Sequence, residues 1–192
     1  MVRMILTLTI ICLVAATALS FVYQNTVPRI EEEKSNKLFS HLKVVFPSAD
    51  DFVPIVEDTL WEARDDCGHK LGFVALVAPR GYAGPIETLV GFNLEGTIVG
   101  LRTATPSEGL KETPGLGVKV NDDWFQKQFI GKGVDGLLLK ADGGSLDAIT
   151  AATISSRAVV NGVRLGLERL SQYWQHEDRD TLAPEPDSLK GK

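Results

Sequence analysis

Ser145-Leu-Asp-Ala-Ile-Thr-Ala-Ala-Thr-Ile-Ser-Ser-Arg157 is the stretch on which the reading of this chain turns. It is dense in hydroxyls and small side chains. Beyond it, apolar residues recur at Val159, Val160, Val163, Leu167, Leu170 and Trp174, the spacing of one helix face. The stretch therefore runs into the first turn of a helix. Backbone N–H groups have no intrahelical partner there, and the helix dipole favours an anion. Such a terminus suits a phosphate. Ala148, Ala151 and Ala152 leave room for a bulky group near the backbone, and Arg157, one turn beyond Thr153, is placed to reach it. Ser and Thr are also ordinary helix caps, so on this pattern cap and phosphate site stand side by side.

The chain is 192 residues long with a formal net charge of −5. That length implies one modest domain with appendages. No basic field appears, which argues against nucleic acid as a partner. The two cysteines, Cys12 in an apolar run and Cys67 in a polar one, exclude a disulfide framework and any Cys-rich iron–sulfur or zinc motif. Asp65, Cys67 and His69 form too small a set to complete a metal site on their own. The three His residues are scattered and no Ser nucleophile elbow is present, so hydrolase chemistry has no support.

Met4 to Val22 is almost wholly apolar, broken only by Thr7, Thr9, Thr17 and Ser20. Those hydroxyls can bond back to helix carbonyls. A helix of that length rises about 28 Å, close to a bilayer's hydrocarbon thickness. A retained anchor over 1–25 is expected. Ala18-Leu19-Ser20 would also pass as a signal-peptidase site. The signal-like layout places the bulk of the chain on the extracytoplasmic side of the cell inner membrane. A juxtamembrane helix is expected over 26–47, capped by Thr26, with Pro28 in its first turn and Leu38, Leu42 and Val45 facing inward.

Strands are expected at Phe52 to Val56 and Leu71 to Ala78, with a turn at Asp65 to Lys70. Pro79 to Ile86 reads as a loop. Thr88 to Leu94 and Thr97 to Thr105 read as a hairpin about Glu95-Gly96, both runs rich in β-branched residues. Asn121 to Phe129 reads as a short helix with Trp124, Phe125 and Phe129 in the core. Leu137-Leu138-Leu139 reads as a buried strand leading to the hydroxyl-rich stretch, and 177–192 as a polar tail. The domain proper spans 48–176. The fold class expected is α+β, a mainly antiparallel sheet flanked by helices.

Asp147-Ala-Ile-Thr150-Ala-Ala-Thr153 resembles the flavin-attachment motif of the covalent FMN-binding domain family, Asp-x-x-Ser/Thr-Gly/Ala-Ala-Thr, with Ala151 where Gly is common. Glu112-Thr-Pro-Gly-Leu-Gly117 resembles a second hallmark of that family, and Gly81-Tyr82-Ala83-Gly84 a third, weaker one. The resemblance implies FMN carried on the Thr153 hydroxyl through a phosphoester made by a separate flavin transferase. It implies a lining drawn from Thr150, Ala151, Ala152, Ser155, Arg157, Glu112, Thr113 and Tyr82, and no metal. Family members often carry a His before the second motif; here Leu110 and Lys111 stand there. Within the family the chain is most similar to G subunits of Rnf-type ion-translocating ferredoxin:NAD oxidoreductases. That implies a redox subunit, not catalytic alone, which relays electrons between a D-type flavin subunit and membrane iron–sulfur subunits. A C-type subunit of a sodium-pumping NADH:quinone reductase, another anchored FMN-domain protein, and a structural membrane subunit without flavin are the alternatives.

Overall fold

The computed structural model describes residues 2–181, and of 25, 27–32 and 172–181 only the backbone. The expected side-chain role of Trp174 and the tail beyond residue 181 lie outside the described residues. The chain divides into two compact units, Met1–Ser40 and His41–Lys192.

The first unit is helical. Within it, Val2–Gln24 is long and apolar enough to cross a membrane. Its hydroxyls are satisfied internally. Thr7 and Thr9 donate to the carbonyls of Arg3 and Ile5 at 2.8 and 2.9 Å, and Thr17 donates to that of Leu13. The expected break between anchor and juxtamembrane helix is absent. A single helix, α1, runs over Val2–Val45. Thr26 does not cap a new start there, because its hydroxyl bonds back to the Val22 carbonyl at 2.7 Å.

The second unit is built on one sheet. Its strands are β1 (Asp51–Val56), β2 (Leu60–Arg64), β3 (Lys70–Val77), β4 (Thr88–Asn93) and β5 (Ile98–Thr103). They pair in sequence order, every pair antiparallel. The α+β class expected from sequence is what the chain adopts. Pro54, which lacks an N–H, sits on the edge strand β1 beside a register shift, where its missing donor is tolerated. β2 was not anticipated, because Glu62 and Arg64 interrupt its apolar pattern. Glu62 is nonetheless buried, paired with Arg64 at 2.6 Å and with Lys70 on β3 at 3.3 Å. The β4–β5 turn is organised by Asn93, whose side-chain oxygen accepts the amides of Glu95 and Thr97.

The two faces of the sheet are covered differently. Phe73, Val90 and Phe92 share a core with Val159, Val163, Leu167 and Leu170 of α3 (Thr153–Thr181). On the opposite face, Gly91 and Gly100 are cross-strand partners. A Cβ on Gly100 would lie 2.0 Å from the Val45 carbonyl oxygen, so only glycine lets the last turn of α1 come this close. Leu42, Val45 and Phe46 are buried there.

Past the sheet, a 3-10 turn at Gly117–Asn121 precedes the short helix α2 (Asp123–Lys127). Two expectations are corrected in this region. Phe125 and Phe129 are core, but Trp124 is 47% exposed and lies edge-on to Phe125. A five-residue helix has room to turn only one of two adjacent aromatics inward. Leu137–Leu139 is not a strand. Leu137 and Leu139 plug the core while Leu138 faces out, and Leu139 makes a single bridge to Leu146. Glycine-rich turns on both sides leave no length for a ladder. The C-terminal helix continues to Thr181, into the segment read from sequence as a polar tail.

Candidate flavin cavity

α3 begins at Thr153, so the residue before it is Ala152, which has no side-chain oxygen with which to cap. Among the described residues, no oxygen accepts the amides of Thr153, Ile154 or Ser155. The hydroxyl of Ser156, buried within the first turn, ties this terminus to the loop before it. It accepts the Ile149 amide at 2.9 Å and donates to the Ala152 carbonyl at 3.0 Å. Ser156 thus pins the incoming loop and leaves the helix start open. The loop makes its final bend at Ala151, whose φ of 61° is left-handed. That bend is the physical reason for a glycine preference at this position.

A cavity of about 550 Å³ opens in front of this terminus. That volume is typical of a small-molecule site, which spans roughly 300–1,000 Å³. Three segments line it: Tyr82 from the loop after β3; Glu112, Thr113, Leu116 and Gly117; and Ala151 to Ser155 at the start of α3. The two expected glycine-rich motifs and the hydroxyl-rich stretch therefore meet in space. Gly117, from the second motif, completes the lining with Leu116 and Ile154, whose part in it was not anticipated. Those two are apolar, so no polar pattern marked them.

Glu112 ties the segments together. It is 4% exposed. One carboxylate oxygen accepts the Ala83 amide at 3.0 Å, and the other accepts the Ser155 hydroxyl at 2.6 Å. Two expected contributors stand apart from the lining. Thr150 is exposed on the loop. The guanidinium of Arg157 is held by Asp142 through two hydrogen bonds of 2.9 and 2.8 Å. That pairing keeps the Asp142 carboxyl below the usual carboxylate range. Asp147, first residue of the attachment motif, is likewise engaged by Lys140 at 2.8 Å.

The chemistry of this cavity suits a flavin mononucleotide. Open amides at a helix start offer donors to a phosphate. The Thr153 hydroxyl stands at that start. Small residues at Ala151, Ala152 and Gly117 leave room beside the backbone, and Leu116, Ile154 and Tyr82 supply apolar surface for a ring.

Residues 81–168 match the FMN-binding domain family. The G subunit of the ion-translocating oxidoreductase complex of Methanosarcina acetivorans is 31% identical over 180 residues, 88% of this chain and 94% of the relative. The G subunit of the proton-translocating ferredoxin:NAD(+) oxidoreductase complex of Clostridium ljungdahlii is 28% identical over 169 residues, 86% of this chain and 89% of the relative. Among solved structures, NqrC of Shewanella oneidensis aligns with a TM-score of 0.46 and 19% identity, covering 64% of this chain and 67% of that one.

Proposed function

This chain belongs to the G subunits of ion-translocating oxidoreductase complexes and carries an FMN-binding domain over residues 81–168, and from that premise we propose that it is an electron-carrier subunit holding FMN on Thr153. The observation that carries the proposal is the position of Thr153. It is the first residue of α3, it lines the cavity, and the amides that follow it are free of protein acceptors among the described residues. A phosphoester through its hydroxyl would set the phosphate against donors already in place.

The flavin supplies the redox chemistry, accepting and passing on electrons one or two at a time. The chain's own residues do the rest. Ser156 fixes the loop so that the Thr153 hydroxyl faces the cavity. Ala151 and Ala152 keep the approach clear. Thr113 offers a hydroxyl to the polar chain of the cofactor, and Leu116, Ile154 and Tyr82 shelter the ring. Electrons enter and leave through neighbouring subunits of the complex, a D-type flavin subunit and membrane iron–sulfur subunits. The protein is not catalytic alone. A flavin transferase makes the ester bond. Val2–Gln24 anchors the chain as a single span, with the flavin domain on the extracytoplasmic side. A covalent bond suits that placement, because a carrier there cannot replace lost FMN from the cytosol.

Intact-mass measurement of the denatured protein tests this directly. Co-expressed with the transferase, the wild type gains the mass of one FMN and Thr153→Ala gains none. No gain in the wild type, with the transferase active on a control protein, would overturn the reading.

A further inference from the structure

Among the residues lining the cavity, Glu112 alone bears a formal charge. Its carboxylate is closely packed at both oxygens. A Cβ on Gly81 would lie 2.4 Å from one of its oxygens, and a Cβ on Gly117 2.4 Å from the other. Ala83 and Ser155 donate to those same oxygens. The group is thus wedged between two bare stretches of backbone and held by donors from the loop that carries Gly81 and from the first turn of α3. No Lys, Arg or His among the described residues pairs with it, and Arg157, on the first turns of α3, is bound to Asp142.

A buried carboxylate without a counter-ion is costly. Packing does not explain it. A glutamine would fill the same space, its oxygen accepting the Ala83 amide and its nitrogen donating to the Ser155 hydroxyl oxygen. What glutamine lacks is the charge. At a carboxylate only 4% exposed, a unit charge acts more strongly on a group bound beside it than the same charge would in water. Reduction of a flavin ring by two electrons at neutral pH takes one proton from water and leaves an added negative charge on the ring. Among the described residues no cation lines the cavity to neutralise it.

On the flavin-carrier reading above, we infer that Glu112 is a fixed negative charge that disfavours the reduced flavin and sets the carrier's midpoint potential low. Its hydrogen bond from Ser155 partly spreads that charge. Removing the charge and removing the donor therefore act in opposite directions, which a merely structural latch would not do.

The test is a redox titration, with dithionite as reductant, of the full-length detergent-solubilised protein loaded by its transferase. Loading of each variant is checked by intact mass. Glu112→Gln shifts the midpoint potential to more positive values, Glu112→Asp stays on the wild-type side of that shift, and Ser155→Ala shifts it to more negative values. An unchanged potential in a loaded Glu112→Gln protein overturns the inference while leaving the carrier reading intact, and so does a positive shift in Ser155→Ala. If Glu112→Gln does not load, Ser155→Ala decides alone: a negative shift supports the inference and any other result overturns it. A wild type that gains no FMN mass removes the carrier reading, and this inference with it.

Discussion

Ala151 holds a left-handed φ of 61° with a Cβ present. A left-handed L-residue costs about 1–2 kcal/mol, and glycine's greater freedom in the unfolded chain gives back roughly 0.5–1 of what relieving it would gain. Ala151→Gly should therefore raise stability by about 0.5–1 kcal/mol, read as a higher midpoint in urea unfolding. Ser156→Ala should act in the opposite direction. It strands the buried Ile149 amide, a loss of about 1–3 kcal/mol, and it loosens the loop that aims Thr153, so flavin loading should slow as well. Glu108 gives a pH-dependent test. Burial alone would raise its carboxyl, but the Thr105 amide, the Arg102 guanidinium and the Thr105 hydroxyl outweigh that and bring it down to about 2. Its folded value lies below the usual 4.5. The stability it contributes is therefore complete above 4.5 and fades as pH falls toward 2. Thermal unfolding of wild type and Glu108→Gln should differ at neutral pH and converge across that window.

At the scale of elements, legibility followed chemistry. β3, β4 and β5 were readable because their runs are apolar and carry β-branched residues, and because a glycine turn at Gly96 separates the last two. β2 was hidden because the carboxylate of Glu62 looks like a solvent residue until Arg64 and Lys70 are seen beside it. The leucine run at 137–139 misled for the converse reason, since apolar composition marks burial and not ladder pairing. In the cavity, both motifs were visible as local patterns. The bond from Ser155 to Glu112 spans 43 positions, and no periodicity encodes such a meeting. The paired glycines of β4 and β5 were equally silent in sequence, because their purpose is to admit another element. Gly100→Ala tests that purpose. Its Cβ would displace the Val45 backbone, with a loss of about 1–3 kcal/mol in urea unfolding.

Over the whole molecule, the boundary between the two units falls at residue 40, but the buried seal of the sheet begins just after it, at Leu42. A chain starting at His41 should fold cooperatively without detergent. One starting at Pro47 loses Leu42, Val45 and Phe46 together, each a buried side chain contributing about 1.5–3 kcal/mol. Calorimetry should show a sharp transition for the first and a much lower or absent one for the second. The strand order has a further consequence. In a meander whose strands pair only with their sequence neighbours, each hairpin can form as soon as its second strand is available. The apolar face that α3 covers has no such local partner and waits for the C-terminal helix. Thr153 comes into position with that same helix. The cavity is therefore complete only once α3 has docked, and on the attachment proposed above a modifying enzyme that reads it in three dimensions would meet the Thr153 hydroxyl only on a finished copy. Esterification would then double as proof of correct assembly, and chains that stall on the way would remain colourless.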